Sequence, residues 1–348
     1  MISPARPIKI LALTSKGAAL ARRLCGELAG AQCWLSQAQA GEPGDRAFSR
    51  LSDAFKEAFD QGDNLVCVMA AGIVVRGLAP YLRGKDKDPA VVVVDEAGQF
   101  AISLLSGHLG GANDLAREVA RILGCTPVIT TATDVQGLPA LDLLAAKHGL
   151  TIENLPGVRV ISMALLEGRP VRLVDPHGYL AETVAATPKQ FALEPDLDQA
   201  LRTPGPTVYA GFRERPWPEG WLVLRPRNLV AGMGCHKGTP PEKLIDFIKQ
   251  TFHQEGLSLL SLKALATIEA KKEEPGLRLA ARSLGVEFLW FTAEELEAMP
   301  APNPSKRVAR HVGVESVSEA AALKAGGVEL IVPKRKVACA TLAIARVA

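Results

Sequence analysis

Between residues 8 and 130 the chain carries a series of short runs that are apolar at nearly every position: Ile8–Leu13, Leu65–Met69, Ala90–Val94, Phe100–Leu105 and Pro127–Thr130. A strand with one buried face alternates apolar and polar side chains, whereas a run apolar throughout is covered on both faces. Gly17–Ala29, Ile73–Leu82, Asn113–Leu123 and Pro139–His148, between or after these runs, read as helices. This alternation predicts an α/β fold whose N-terminal domain, residues 1–150, is a doubly wound, mostly parallel sheet.

Proline and glycine recur over residues 151–226, and periodicity is weak there. That pattern predicts a small irregular middle domain with a linker near Pro216–Arg227. A second α/β domain, residues 227–348, opens with a strand at Leu229–Met233, a loop at Gly234–Gly238 and a helix at Pro240–Phe252. Leu257–Leu262 reads as the next strand and Thr341–Val347 as the last. Pro275 opens a further helix, and Pro300–Pro304 marks a loop. Thr239/Glu242, Thr292/Glu295 and Ser316/Glu319 have capping-box spacing, in which each side chain satisfies a backbone donor of the other residue.

Several function classes are disfavoured. With 48% hydrophobic and 22% charged residues the chain has a globular balance. No apolar run reaches the ~18 residues that span a bilayer, and the start of the chain lacks a signal-peptide pattern. Six scattered cysteines without a Cys-x-x-Cys pair fit neither a disulfide framework nor a zinc knuckle, so a cytoplasmic, reducing setting is expected. Residues 228–348 hold 16 basic and 13 acidic side chains and so contain the whole net charge of +3. That excess is too small for nucleic acid. It suits a small anionic ligand, and equally a solvated surface. No Gly-x-Ser-x-Gly elbow, His-Glu-x-x-His helix or Walker loop is present.

In open parallel sheets ligands bind beyond the carboxyl ends of the strands. Four loops are expected at that edge: Ala70–Gly72, Asp95–Gly98, Ser106–Asn113 and Thr130–Asp134. Glycine-lined loops at helix starts favour carboxylates or phosphates. In the third loop Gly107, Gly110 and Gly111 surround His108, and Asn113 is placed to cap the next helix. Read blandly, this is a turn with a solvent-facing imidazole. No second ligand stands at helical or hairpin spacing from His108, so this histidine alone is not a metal site. The loop Gly232–Thr239 looks like a dinucleotide fingerprint, but its third glycine comes one residue late and no acid ends the expected next strand. Cys235 reads as a nucleophile or, more commonly, a small buried thiol. Lys237 is a candidate anion ligand. The charged segment Thr267–Gly276, near a helix start, reads by itself as a solvated loop.

Together these segments resemble the cobalt-precorrin-5A hydrolase family, the G protein of the anaerobic cobalamin pathway. The resemblance rests on Ala70–Arg76 with Lys85, Asp88 and Pro89, on Val93–Glu96, on the specific string Leu105–Asn113, and on Val128–Asp134. It resumes at Gly232–Cys235, Ala266–Glu269, Glu274–Leu277, Val312–Val317 and Thr341–Arg346. Residues 65–140 and 228–348 are well covered, the middle only by position and length. The chain departs from the family at His236, where arginine is usual, and at Glu269, where aspartate is frequent.

The resemblance implies a substrate that is a cobalt-bearing macrocycle with acetate and propionate arms. It implies δ-lactone opening followed by loss of acetaldehyde. The cobalt arrives with the substrate, so neither a protein-bound metal nor a cofactor is implied. Partners are the corrinoid itself and neighbouring pathway enzymes, with neither nucleic acid nor membrane. The catalytic candidates are His108, Asp134 and Glu274. His108 is the first choice of base because an imidazole ordinarily titrates near 6.5; the amides of Gly110 and Gly111 are candidate oxyanion donors. Candidate substrate contacts are Gly72, Arg76, Gly107, Gly110, Gly111, Asn113 and Thr131 in the first domain. In the last they are Gly232, Gly234, Cys235, Lys237, Gly238, Thr239 and Lys271. A non-catalytic corrinoid-binding or carrier protein is the alternative.

Overall fold

The computed structural model describes residues 6–84, 87–108, 110–299 and 317–347. The chain divides into two units, residues 1–146 and 147–348. In the first, seven strands form one sheet: β1 (Ile8–Ala12), β2 (Ala31–Ser36), β3 (Asp45–Phe48), β4 (Asn64–Val68), β5 (Val91–Val94), β6 (Phe100–Leu105) and β7 (Thr126–Val128). Their order is β3-β2-β1-β4-β5-β6-β7.

Both faces of this sheet are covered, as the apolar runs require. Ile10, Ala12, Val66, Val68, Val92 and Val94 pack with Leu24, Ala116 and Val119 from the helices Ser15–Glu27 and Ala112–Leu123. Leu11, Leu65, Cys67, Val91 and Val93 pack on the other side with Phe55, Phe59, Val74 and Leu78 from the helices Leu51–Gln61 and Ala71–Leu78. Alternate residues of each strand thus feed opposite layers, the doubly wound arrangement. The apolar-run reading predicts no element over residues 30–61, where β2, β3 and the helix Leu51–Gln61 form.

One reversal reorganises the sheet. β1 to β5 run parallel, but β6 pairs antiparallel with β5, and β7 runs parallel to β6. Asp95–Gly98 is therefore a hairpin turn: Asp95 Oδ1 accepts from the Gln99 and Phe100 amides at 2.8 and 2.7 Å, and Gly98 takes φ 65°. So short a connection cannot make a parallel crossover, which needs about a dozen residues. The four loops expected at one edge are consequently split. Ala70–Gly72 and Asp95–Gly98 lie at one edge, Ser106–Asn113 and Thr130–Asp134 at the other, about 13 Å away along the strands.

The second unit holds two sheets. The middle segment, expected to be irregular, carries β8 (Leu150–Ile152), β9 (Val171–Val174), β10 (Phe191–Leu193), β11 (Thr207–Ala210) and β12 (Leu222–Pro226), in the order β10-β9-β11-β12-β8. Only β8 is antiparallel. Strands of three to five residues bounded by glycine and proline are too short to show a period. The expected linker is itself structured, since β12 is buried along its length. Arg225, fully buried, donates to the carbonyls of Gly211 and Arg213 and pairs with Glu153 and Glu214.

The last sheet contains β13 (Leu229–Cys235), β14 (Leu262–Ile268), β15 (Glu287–Phe291), β16 (Gly327–Lys336) and β17 (Ala340–Val347), in the order β15-β14-β13-β17-β16. The strand expected at Leu257–Leu262 is a turn that leads into β14, so an acid, Glu269, does follow the second strand, in chain order, of this sheet. The Thr292/Glu295 capping box forms. The Thr239/Glu242 box does not: Pro240 occupies the cap position, and the Thr239 hydroxyl donates to the His236 carbonyl at 2.8 Å. Ser316, and with it the third box, lies outside the described residues, as do Pro300–Pro304, Lys85, Leu109 and the segment 312–316.

Candidate functional site

At the end of β6 the chain turns sharply. Ser106 has φ 58°, the one non-glycine positive value among the described residues, a conformation that costs about 1 kcal/mol. Its hydroxyl donates to the Asp88 carbonyl at 2.9 Å, and its own carbonyl accepts from the Ala112 amide at 3.1 Å. Gly110 folds back so closely that a Cβ there would lie 2.3 Å from the Ser106 Cβ. The glycines thus close the turn. The Gly111 amide donates to the His108 carbonyl at 2.8 Å, which removes it from the expected pair of oxyanion donors. Gly111 also supplies the helix cap, at φ 86°, in place of Asn113.

Asn113 instead lies buried inside the first turn and organises a polar cluster. Its amide nitrogen donates to Asp134 Oδ2 at 2.9 Å and Thr131 Oγ1 at 3.3 Å, while Ser103 Oγ donates to its oxygen at 2.7 Å. Gly107 leaves room for it, since a Cβ there would lie 2.8 Å from Asn113 Oδ1. β6 and β7 are parallel neighbours, so the loops that follow them meet. His108 Nε2 lies 2.8 Å from Asp134 Oδ2 and 3.2 Å from Thr133 Oγ1. Arg117 donates to Asp134 Oδ1 at 2.7 Å.

Burial pulls the Asp134 carboxyl upward, but the hydrogen bonds from Arg117 and His108 outweigh it and hold it below its usual value. An ionised carboxylate only accepts, so His108 carries its proton on Nε2 and a neutral ring presents its lone pair at Nδ1. This tautomer follows from the hydrogen-bond geometry. Asp134, already holding three donors, is arranged to orient an imidazole rather than to take a proton.

His108, Asn113, Thr131 and Asp134 are therefore brought together, and Gly107, Gly110 and Gly111 shape their loop. Gly72 and Arg76 are not: both are exposed on the helix Ala71–Leu78 at the far edge of the sheet. Sequence reasoning missed Ser103, Arg117 and Asp142. A serine or arginine inside an otherwise ordinary strand or helix carries no signal until the fold supplies its neighbour.

The loop after β13 is largely internal structure. Glu274 Oε1 accepts from the Gly238 amide at 2.7 Å, and Lys271 lies 3.4 Å from Oε2. The position an anion would take on that amide is held by the chain's own carboxylate. A Cβ on Gly232 would lie 1.9 Å from the Ser318 carbonyl oxygen, so this glycine admits the helix Val317–Lys324 against β13. Gly234 faces Thr341 in the same way, at 3.0 Å. The Cys235 thiol is pushed up to about 11 by burial and is not a ready thiolate. Thr239 is buried, and Lys237 is exposed. Among the described residues no cluster of three or more His, Cys, Asp or Glu side chains could hold a metal ion, and no helix is long and apolar enough to cross a membrane.

Comparison with known proteins agrees over most of the chain. Residues 53–134 match the family described as cobalamin synthesis G N-terminal, 139–226 the cobalamin biosynthesis central region, and 229–345 the cobalamin synthesis G C-terminus. The cobalt-precorrin-5A hydrolase of Priestia megaterium is 32% identical, over 97% of this chain and 94% of that protein. That of Salmonella typhimurium is 38% identical, over 90% of each. A crystal structure of a cobalamin biosynthesis protein G homologue from Sulfolobus solfataricus is 22% identical over 99% of this chain and 98% of its own, with a TM-score of 0.35. Matched in all three regions and at more than 30% identity over nearly the full length of its relatives, the chain belongs to the cobalt-precorrin-5A hydrolase family.

Proposed function

We propose that this chain hydrolyses cobalt-precorrin-5A to cobalt-precorrin-5B, opening the δ-lactone and releasing acetaldehyde, in the cytoplasm. The observation that carries this reading is the near full-length likeness to two cobalt-precorrin-5A hydrolases. The His108–Asp134 pair supports it with suitable chemistry. The cobalt belongs to the substrate, and neighbouring enzymes of the pathway deliver and remove the corrinoid.

In this reading Asp134 holds His108 with Nδ1 free. Nδ1 takes a proton from water while the water oxygen forms a bond to the lactone carbonyl carbon and the carbonyl π pair moves onto its oxygen. When the carbonyl re-forms, the ring C–O bond breaks and the proton on Nδ1 passes to the departing oxygen. The freed hydroxyl then loses its proton, its C–O bond becomes the aldehyde carbonyl, and the adjacent C–C bond breaks. The electron pair goes to the macrocycle carbon, which takes up a proton.

Incubating the purified protein with cobalt-precorrin-5A should release one acetaldehyde per macrocycle without added NAD(P), ATP or metal. Tight binding of the corrinoid with no aldehyde would overturn this reading in favour of a carrier.

A further inference from the structure

The geometry points to Asp142 as a second catalytic residue that, together with His108, binds the attacking water; this rests on the hydrolase reading above. With Nε2 committed to Asp134, the only ring position that can receive a proton is Nδ1. The group facing Nδ1 is Asp142, from the first turn of the helix Leu141–Lys147, with Oδ1 at 4.0 Å. That separation is too long for a direct hydrogen bond. It suits a single water oxygen about 2.8 Å from each atom.

Both atoms are acceptors, a ring lone pair and a carboxylate oxygen, and at 4.0 Å they are close enough for one small molecule to reach both. The small molecule that satisfies two such acceptors is a double donor, and water is one. One hydrogen then points at Nδ1 and the other at Asp142. The oxygen lone pairs are directed away from both, available to a carbonyl carbon. The His108 and Asp142 side chains are 20% and 17% exposed, so the point is sheltered yet reachable. The Leu143 amide donates to Asp142 Oδ1 at 2.9 Å and steadies the carboxylate.

The proton balance is simple. The hydrogen facing His108 moves to Nδ1 as the water oxygen bonds to the lactone carbon. Asp142 keeps the other as a hydrogen bond and gains no proton. Its part is to fix the attack direction, the contribution that orientation makes to a bimolecular step.

The test compares Asp142→Ala, which removes the acceptor, with Asp142→Asn, which keeps one oxygen. Folding is checked by thermal melting and lactone opening by aldehyde release. Asp142→Ala should lose roughly 10²-fold in kcat with KM within about twofold, and Asp142→Asn about tenfold or less. Hydroxylamine, a nucleophile strong enough to attack unaided, should open the lactone to a hydroxamate in Asp142→Ala within about tenfold of its rate in wild type. A structural role would not be bypassed in that way. Unchanged kcat in Asp142→Ala beside an active wild type overturns this assignment alone. So does equal loss in both variants without hydroxylamine rescue. Should Asp142→Ala fail to fold, Asp142→Asn with the hydroxylamine ratio decides in the same sense. A wild type that releases no aldehyde removes the hydrolase reading and this assignment with it.

Discussion

His108 and Asp134, 26 residues apart in the chain, meet at 2.8 Å because the parallel strands β6 and β7 end side by side. The pair resembles the orienting half of a catalytic triad, in which a buried carboxylate fixes an imidazole by one nitrogen and leaves the other for proton transfer. The likeness is one of geometry, since no Gly-x-Ser-x-Gly nucleophile elbow exists in this chain.

His108→Ala should melt within a few degrees of wild type, since the side chain is partly exposed and little apolar area is lost. Its kcat for aldehyde release should fall by roughly 10²–10⁴-fold. A folded variant with unchanged kcat at saturating substrate would remove His108 from the chemistry, and a rise in KM alone would make it a binding residue.

Asp134→Asn tests the orienting role and the electrostatics together. Turnover should drop, because an amide no longer selects the tautomer with the proton on Nε2. The Asp134 carboxyl is lowered in the folded protein from its ordinary value of 3.8. Its pairing therefore stabilises the fold fully above that ordinary value and less as pH falls through the lower folded value. The melting difference between wild type and Asp134→Asn should be constant from pH 7 to 5 and shrink below about pH 4. A difference that grows on acidification would contradict the lowered carboxyl.

Glu274→Gln should chiefly affect the local structure of the Cys235–Thr239 loop, because the carboxylate is engaged by the Gly238 amide and Lys271. The expected outcome is a loss of about 1.5–3 kcal/mol in urea unfolding, the scale of a charge-assisted hydrogen bond, with kcat within a few-fold. A hundredfold fall in kcat with normal stability would return Glu274 to the list of bases.

Gly232→Ala should be more damaging than Gly238→Ala. At Gly232 the added methyl meets the Ser318 carbonyl oxygen at 1.9 Å, and the helix Val317–Lys324 must retreat. The expected cost is about 1–3 kcal/mol or more. At Gly238 no atom lies within 4 Å, and only the positive φ of 73° is strained, at about 1 kcal/mol. Chemical denaturation of both variants ranks them, and the reverse order would mean that the strand–helix approach is adjustable.

Residue type and spacing determined the two-faced sheet, the helices that cover it and the family. An unbroken apolar run such as Val91–Val94 has no stable place except between two layers, whatever surrounds it. The glycine-rich loop around His108 was legible for a similar reason, since few sequences tolerate a backbone so sharply folded. The helix Leu51–Gln61 also left a trace, with Phe55, Ala58 and Phe59 three and four residues apart on one face.

Only the tertiary structure decided which loops share an edge. The five-residue link Asp95–Gln99 reverses β6, and that single local choice separates Arg76 from His108. It likewise decided that Glu274 fills the amide it was expected to leave for an anion, and that Asp142 faces Nδ1 of His108. Apolar burial depends on each residue's own side chain and so can be read along the chain. Polar pairing depends on which distant groups the strand directions bring within about 3 Å, and composition and period do not encode it.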